Sequence, residues 1–86
     1  MDPKPTIDFC ALISGFARAA LIDLGRVAEP CTGVLSRDLA MAEQNIAIIE
    51  MLRRKTSGNL SAVEQELLEK LLTDLRQALA AAKEEA

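Results

Sequence analysis

The 86-residue sequence contains no histidine. Histidine is the commonest general base and the commonest metal ligand in proteins, so its absence excludes a Cys–His or Ser–His nucleophile pair within one chain. Two cysteines cannot fill the four-ligand shell of a structural zinc ion, although two chains together would offer four thiolates. We therefore expect no catalytic residue, no metal ligand and no cofactor site, and we expect a protein that is not an enzyme.

Aromatic residues are nearly absent, with no tryptophan, no tyrosine and two phenylalanines. Proteins that hold single-stranded nucleic acid stack its bases on aromatic rings, and this chain offers almost none. Ten basic residues face thirteen acidic ones, which gives a formal net charge of −3, whereas nucleic-acid binding usually needs a basic patch. Both observations argue against nucleic acid as a partner.

The sequence also lacks a long hydrophobic run. Its longest uncharged stretch on an apolar helix covers residues 9–17 and ends at Arg18, well short of the roughly 18–20 residues that cross a bilayer. The first five residues, MDPKP, lack the basic region of a secretory signal, so the two cysteines are expected to stay reduced. These features predict a cytoplasmic protein with no membrane span.

Half of the chain is hydrophobic, mostly leucine, isoleucine and alanine, which suits one small domain. The spacing of these residues predicts an all-α fold of three helices, in which an apolar N-terminal helix and a C-terminal antiparallel helical hairpin assemble as a dimeric bundle. We divide the chain into an extended N-terminal arm (1–6), a single helical domain (7–79) and a C-terminal tail (80–86) that has little to bury and should fray.

The first helix is predicted at about residues 7–24, with Thr6 as its N-cap and Gly25 as its C-terminal stop. Apolar residues lie on nearly all of its sides, which is typical of a helix that is buried on nearly all sides. The connector that follows, residues 26–37, is long for a helical bundle. We expect it to cross the surface of the molecule or of a partner.

The second helix is predicted to begin at a Ser36 cap and to end near Ser57. Asn45 falls inside its apolar sector, where an amide either fixes helix register or anchors a loop. A short turn and a Ser–x–x–Glu capping box then open the third helix, so the last two helices must form an antiparallel hairpin. The residues assigned to this structural turn are Thr56, Gly58, Asn59, Leu60, Ser61 and Glu64.

One face of the first helix covers the hairpin, and its second apolar face is then left in water. Small residues recur every four positions on that face, which lets a second backbone approach closely, and an exposed apolar patch of several hundred Å² marks a contact surface. We predict self-association as a homodimer or higher oligomer, with an unidentified protein as a further candidate partner. The alternative is that the long connector covers this helix within the monomer. The predicted interface residues are Ala11, Gly15, Ala19, Ile22, Leu12 and Ile7.

Several short motifs resemble, in order, those of the small bacterial family catalogued as domain of unknown function 1844. The resemblance covers about residues 7–79, and its most specific part is the turn KTSGNL at residues 55–60. It implies a bacterial cytoplasmic helical protein with no assigned activity, and it transfers no catalytic residue. The other matching motifs are ALIDLG (20–25), PCTG (30–33), DLAMA (38–42), IEML (49–52), Glu64 and LTDLR (72–76).

These observations favour a non-enzymatic, self-associating scaffold or protein-interaction module. The alternative is a carrier that holds a small apolar or acyl ligand between helix one and the hairpin, although few aromatic residues and no obvious polar anchor are available for it. Native mass spectrometry distinguishes the two, because a carrier retains extra mass that organic extraction removes.

Overall fold

The computed structural model describes residues 8–85, and all the regular structure in that range is helical. Three helices follow each other along the chain: α1 (Phe9–Asp23), α2 (Leu39–Lys55) and α3 (Ala62–Glu85). Each helix packs against the other two, which confirms the predicted all-α fold. The predicted arm, residues 1–6, lies outside the described residues.

The first two helices both begin after an aspartate. The carboxylates of Asp8 and Asp38 each accept a hydrogen bond from the backbone N–H three residues ahead, at 2.7 and 3.1 Å. An aspartate that flanks the first turn with extended backbone is a strong N-cap, because its carboxylate satisfies an otherwise unpaired N–H. The predictions of Thr6 and Ser36 as N-caps are therefore wrong, and Thr6 itself lies outside the described residues.

Helix α1 ends in the predicted glycine motif. Gly25 adopts φ +76°, a left-handed conformation that side chains disfavour. The N–H of Gly25 donates to the carbonyl of Ile22, and the N–H of Arg26 donates to the carbonyl of Leu21. This pair of bonds is the Schellman arrangement, which satisfies the last carbonyls of a helix and turns the chain away from its axis.

The hydrophobic core lies where the three helices meet. The N–H of Asp38 donates to the carbonyl of Asp23 at 2.7 Å, so the start of α2 is fastened to the end of α1 and the two helices run antiparallel. All three helices contribute aliphatic side chains at helical spacing, as an amphipathic bundle requires. The buried residues of this cluster are Ile13, Ala17, Ala20, Ile46, Ile49, Leu68, Leu72 and Leu75.

A second, smaller cluster lies at the end of the bundle where α3 finishes. Ala82 is fully buried there against Leu24 and Ala42. Helix α3 continues to Glu85, whose carboxylate pairs with Arg37 at 2.8 Å. The structure thus buries part of the 80–86 segment, which we expected to have little to bury.

Candidate interaction surface

The side of α1 that points away from the core carries an apolar arc, with the exposed Arg18 at its edge. At 100° per residue, the five predicted interface residues that the structure describes fall within an arc of about 100°. Ala11, Leu12 and Gly15 are exposed, with Leu12 at 41%, whereas Ala19 and Ile22 are half-buried. The sixth predicted residue, Ile7, lies outside the described residues. The structure therefore places these side chains on one solvent-facing surface of the monomer.

A shallow groove of about 350 Å³ runs along this surface. Five of its lining residues come from α1 and the sixth, from α2, is the only one with a polar side chain. The groove therefore follows the seam between α1 and α2, and we call it the α1–α2 groove. Its lining residues are Ala11, Leu12, Gly15, Phe16, Ala19 and Asn45.

Asn45 is held in place from within the chain. Its side-chain Nδ2 donates to Oδ2 of Asp23 at 2.8 Å in a partly buried position. This bond joins α2 to the last residue of α1, so Asn45 links two helices and does not anchor a loop. The Asn45 side chain thus links α1 and α2 by a hydrogen bond at the groove.

Next to the groove, α2 carries apolar side chains that are not among the predicted interface residues. Met41 is four residues before Asn45 and Ile48 three residues after it, so the three side chains share one side of α2. Met41 is 44% exposed and Ile48 is half-buried. This spacing places Met41 and Ile48 beside the groove-lining Asn45, although neither lines the groove itself.

Gly15 has no structural role within the described monomer. A Cβ built at Gly15 meets no heavy atom within 4 Å, and the backbone is not in the left-handed region. Glycine in the middle of a helix costs roughly 0.5–1 kcal/mol relative to alanine. The folding of residues 8–85 therefore does not explain why this position carries glycine.

The connector between α1 and α2 does not cover the groove. Residues 30–38 are all exposed, and so are Ala11, Leu12 and Gly15 on the groove itself. The alternative in which the long connector buries the first helix is therefore wrong. The connector is a closed loop instead, because the bond between Asp38 and Asp23 joins its two ends.

The turn between α2 and α3 is built from local hydrogen bonds. The Thr56 hydroxyl donates to the Leu52 carbonyl at 2.7 Å, and Gly58 adopts φ +83°. The predicted capping box is present, because Ser61 and Glu64 each accept the other's backbone N–H through a side-chain oxygen. The remaining two residues assigned to the turn are Asn59, whose N–H bonds the Thr56 carbonyl, and Leu60, which packs against the core.

The surface shared by α2 and α3 is charged, in contrast to the groove. Three ion pairs cross between these helices, and each of their side chains is at least one third exposed. Exposed pairs of this kind contribute little net stability, but they keep a surface hydrated. The pairs are Arg53–Glu69, Arg76–Glu50 and Lys83–Glu43.

The carrier alternative requires space between α1 and the hairpin. Fully buried aliphatic side chains such as Ile13, Ile49 and Leu72 occupy that position, and the α1–α2 groove lies on the outer surface. Within residues 8–85, no group of three or more cysteine, aspartate or glutamate side chains is placed to hold a metal ion. None of the helices described is long and apolar enough to cross a membrane.

The family model described as domain of unknown function (DUF1844) matches residues 6–81, which is most of the chain. No curated protein and no solved structure matches it.

Proposed function

Because the chain belongs to the family of the domain of unknown function DUF1844, whose description assigns no activity, we propose a function from its exposed surface. The protein is a non-enzymatic module that associates with a second copy of itself through the outer face of α1. It serves as a scaffold or protein-interaction unit in the bacterial cytoplasm. The main support for this proposal is the exposed glycine at position 15 in the middle of α1.

Gly15 weakens α1 in the monomer, and no contact in residues 8–85 offsets that cost. A glycine on the outer face of a helix lets another backbone come closer than any side chain permits. Ala11 and Ala19 lie one turn to either side and are also small. The glycine is therefore accounted for by a helix that packs on α1 from outside.

A second copy is the partner that this surface fits best. Homodimers with two-fold symmetry are the commonest oligomers, and their interfaces use the same patch on both chains. The outward arc of α1 is apolar at Leu12 and Ile22 and small between them, so it is complementary to itself.

Replacing Gly15 with glutamate tests the proposal. The new side chain has open space in the monomer, so the fold should be retained. In a dimer it would place a charge between two closely packed helices, which is costly without a partner charge. We expect sedimentation velocity at tens of micromolar to show a dimer for the wild-type chain and a monomer for Gly15→Glu.

The matched control is Ser14→Glu, which adds the same charge at the neighbouring exposed position, outside the apolar arc. This variant should remain a dimer, and far-ultraviolet circular dichroism should show equal helix content in all three proteins. A wild-type chain that stays monomeric at these concentrations would refute self-association. Dissociation by both variants alike would show that the effect is not specific to the arc.

The apolar lining of the α1–α2 groove is the one observation that favours the alternative of a small-ligand carrier. Native mass spectrometry of freshly purified protein decides between the two. Twice the chain mass, without addition, supports the proposed dimer. A monomer with extra mass that organic extraction removes would favour the carrier.

A further inference from the structure

The outer face of α1 is small for a stable interface. Its described part has five residues, two of them alanine and one glycine, whereas a typical specific interface uses about 20–30 residues and about 800 Å² on each partner. A dimer built on α1, as proposed above, must therefore bury surface from a second element. Among the helices, the candidates for that element are the exposed apolar side chains of α2 and α3.

The nearest apolar surface belongs to α2. Asn45 lines the groove together with Gly15 and Ala19, so this side of α2 directly adjoins the outer face of α1. Met41 and Ile48 lie one turn to either side of Asn45 on the same side of the helix. They continue the apolar surface from α1 onto α2.

The surfaces on α3 fit this role less well. The side of α3 that faces α2 carries the three ion pairs, whose charges would have to lose water on association. The exposed Val63 shares a hollow with Leu67, but Glu66 and Lys70 complete its lining, and all four residues belong to α3. Neither surface continues the apolar face of α1.

We infer that α2 supplies the second side of the dimer interface, with Met41 and Ile48 in contact with α1 of the second copy. That helix lies in the α1–α2 groove, against Gly15 on one side and Met41 on the other. Asn45 sits between them, and its bond to Asp23 already satisfies one of its amide donors within the chain. The groove thus receives a helix without first having to break that bond.

Methionine methyl resonances test this inference in the wild-type protein. Met41 and Met51 lie on the same helix and are similarly exposed, at 44% and 37%. Met51 is ten residues away, about 15 Å along the helix and about 80° around it. On dilution from about 1 mM to about 10 µM, a range that spans a dissociation constant in the micromolar region, the Met41 methyl signal should shift and the Met51 signal should not. A concentration-independent Met41 signal in a chain that sedimentation shows to dissociate over this range would overturn the inference.

A pair of variants gives an independent measurement. Met41 is the third residue of α2, where a glutamate is compatible with the positive end of the helix dipole, so Met41→Glu should fold. We expect this variant to raise the dimer dissociation constant at least about tenfold, and Met51→Glu to change it less than about twofold.

The outcomes separate this inference from the proposed function. If Gly15→Glu yields monomers while Met41→Glu dimerises like the wild type, α1 alone forms the interface and the role of α2 is refuted. If the wild-type chain is monomeric, both proposals fail together. If Met41→Glu weakens the dimer and Met51→Glu does not, the assignment of α2 stands.

Discussion

Glu29 organises the exposed part of the loop between α1 and α2. Its carboxylate accepts the backbone N–H groups of Cys31 and Thr32 at 3.1 and 3.0 Å. The hydrogen bond from Cys31 is the main cause that lowers the pKa of Glu29 below its ordinary value of 4.5. Backbone bonds from Gly33 to Glu29 and from Glu29 to Val34 close the same turn.

The lowered pKa predicts how this turn responds to acid. A carboxylate with a lower pKa in the folded chain stabilises the fold above its unfolded pKa, and this contribution is lost as the pH falls through the folded pKa. We expect the amide resonances of Cys31 and Thr32 to be constant above about pH 5 and to change as Glu29 takes up a proton below 4.5.

Glu29→Gln is the control, because glutamine keeps an acceptor oxygen and does not titrate. The pH-dependent change at Cys31 and Thr32 should disappear in this variant. A Glu29 carboxyl carbon that titrates at or above 4.5 would contradict the prediction.

Single-residue patterns predicted some helix ends and missed others. The capping box of Ser61 and Glu64 was predictable because both hydrogen bonds lie within four residues of sequence. Ser36 and Asp38 are both good caps in sequence, and only the bond from Asp38 to Asp23 fixes where α2 begins. That contact joins distant parts of the chain, so local pattern could not decide between the two caps.

Among the helices, α3 is the longest and its last turns have a packing role. Its 24 residues extend past the main core to the cluster formed with Leu24 and Ala42. Ala82 is fully buried in that cluster, whereas Ala80 on the same helix is exposed. The helix end is therefore held by close contact between small side chains.

This arrangement predicts that the same substitution has a large effect on stability at Ala82 and a negligible one at Ala80. Ala82→Glu must force a charged side chain into a packed site, and we expect it to lower the free energy of unfolding by about 2–4 kcal/mol. Ala80→Glu should change it by less than about 0.5 kcal/mol because the position faces solvent. Urea denaturation followed by circular dichroism measures both, and equal values would show that the end of α3 is frayed.

The packing of this segment was not predictable from hydrophobic pattern. The sequence ALAAAKEE contains one large apolar side chain, so its pattern indicates little apolar area that could be buried. What Ala82 provides is its small size, which lets α3 approach Ala42 closely. The need for a small residue depends on the neighbouring helix, which only the folded structure supplies.

Across the whole molecule, the α1–α2 groove is mostly apolar, whereas the surface shared by α2 and α3 is charged. Leucine and isoleucine spacing was sufficient to predict the three helices and the hairpin of the last two. It was also sufficient to place Gly15 and Leu12 on an outer face of α1. The adjoining side of α2 was not predicted, because Met41 and Ile48 lie beside the core residues Ile46 and Ile49 in one broad apolar sector of the sequence.

Self-association also predicts a concentration-dependent stability. When folding and association are linked, a higher chain concentration favours the folded dimer by mass action. The melting temperature of the wild-type chain should therefore rise by about a few degrees over a hundredfold increase in concentration. Gly15→Glu should melt at one temperature throughout, and a wild-type melting temperature that is equally constant would speak against a dimer.

The bond that joins Asp23 to Asp38 has a practical consequence for following the protein in living cells. Both ends of the intervening loop are fixed to the bundle, and Leu35 and Ser36 are exposed beyond the turn that Glu29 closes. Exposed loop segments of this kind accept inserted sequences well. An epitope or a fluorescent reporter spliced between Leu35 and Ser36 would therefore label the protein while leaving both chain termini unfused and the outer face of α1 uncovered.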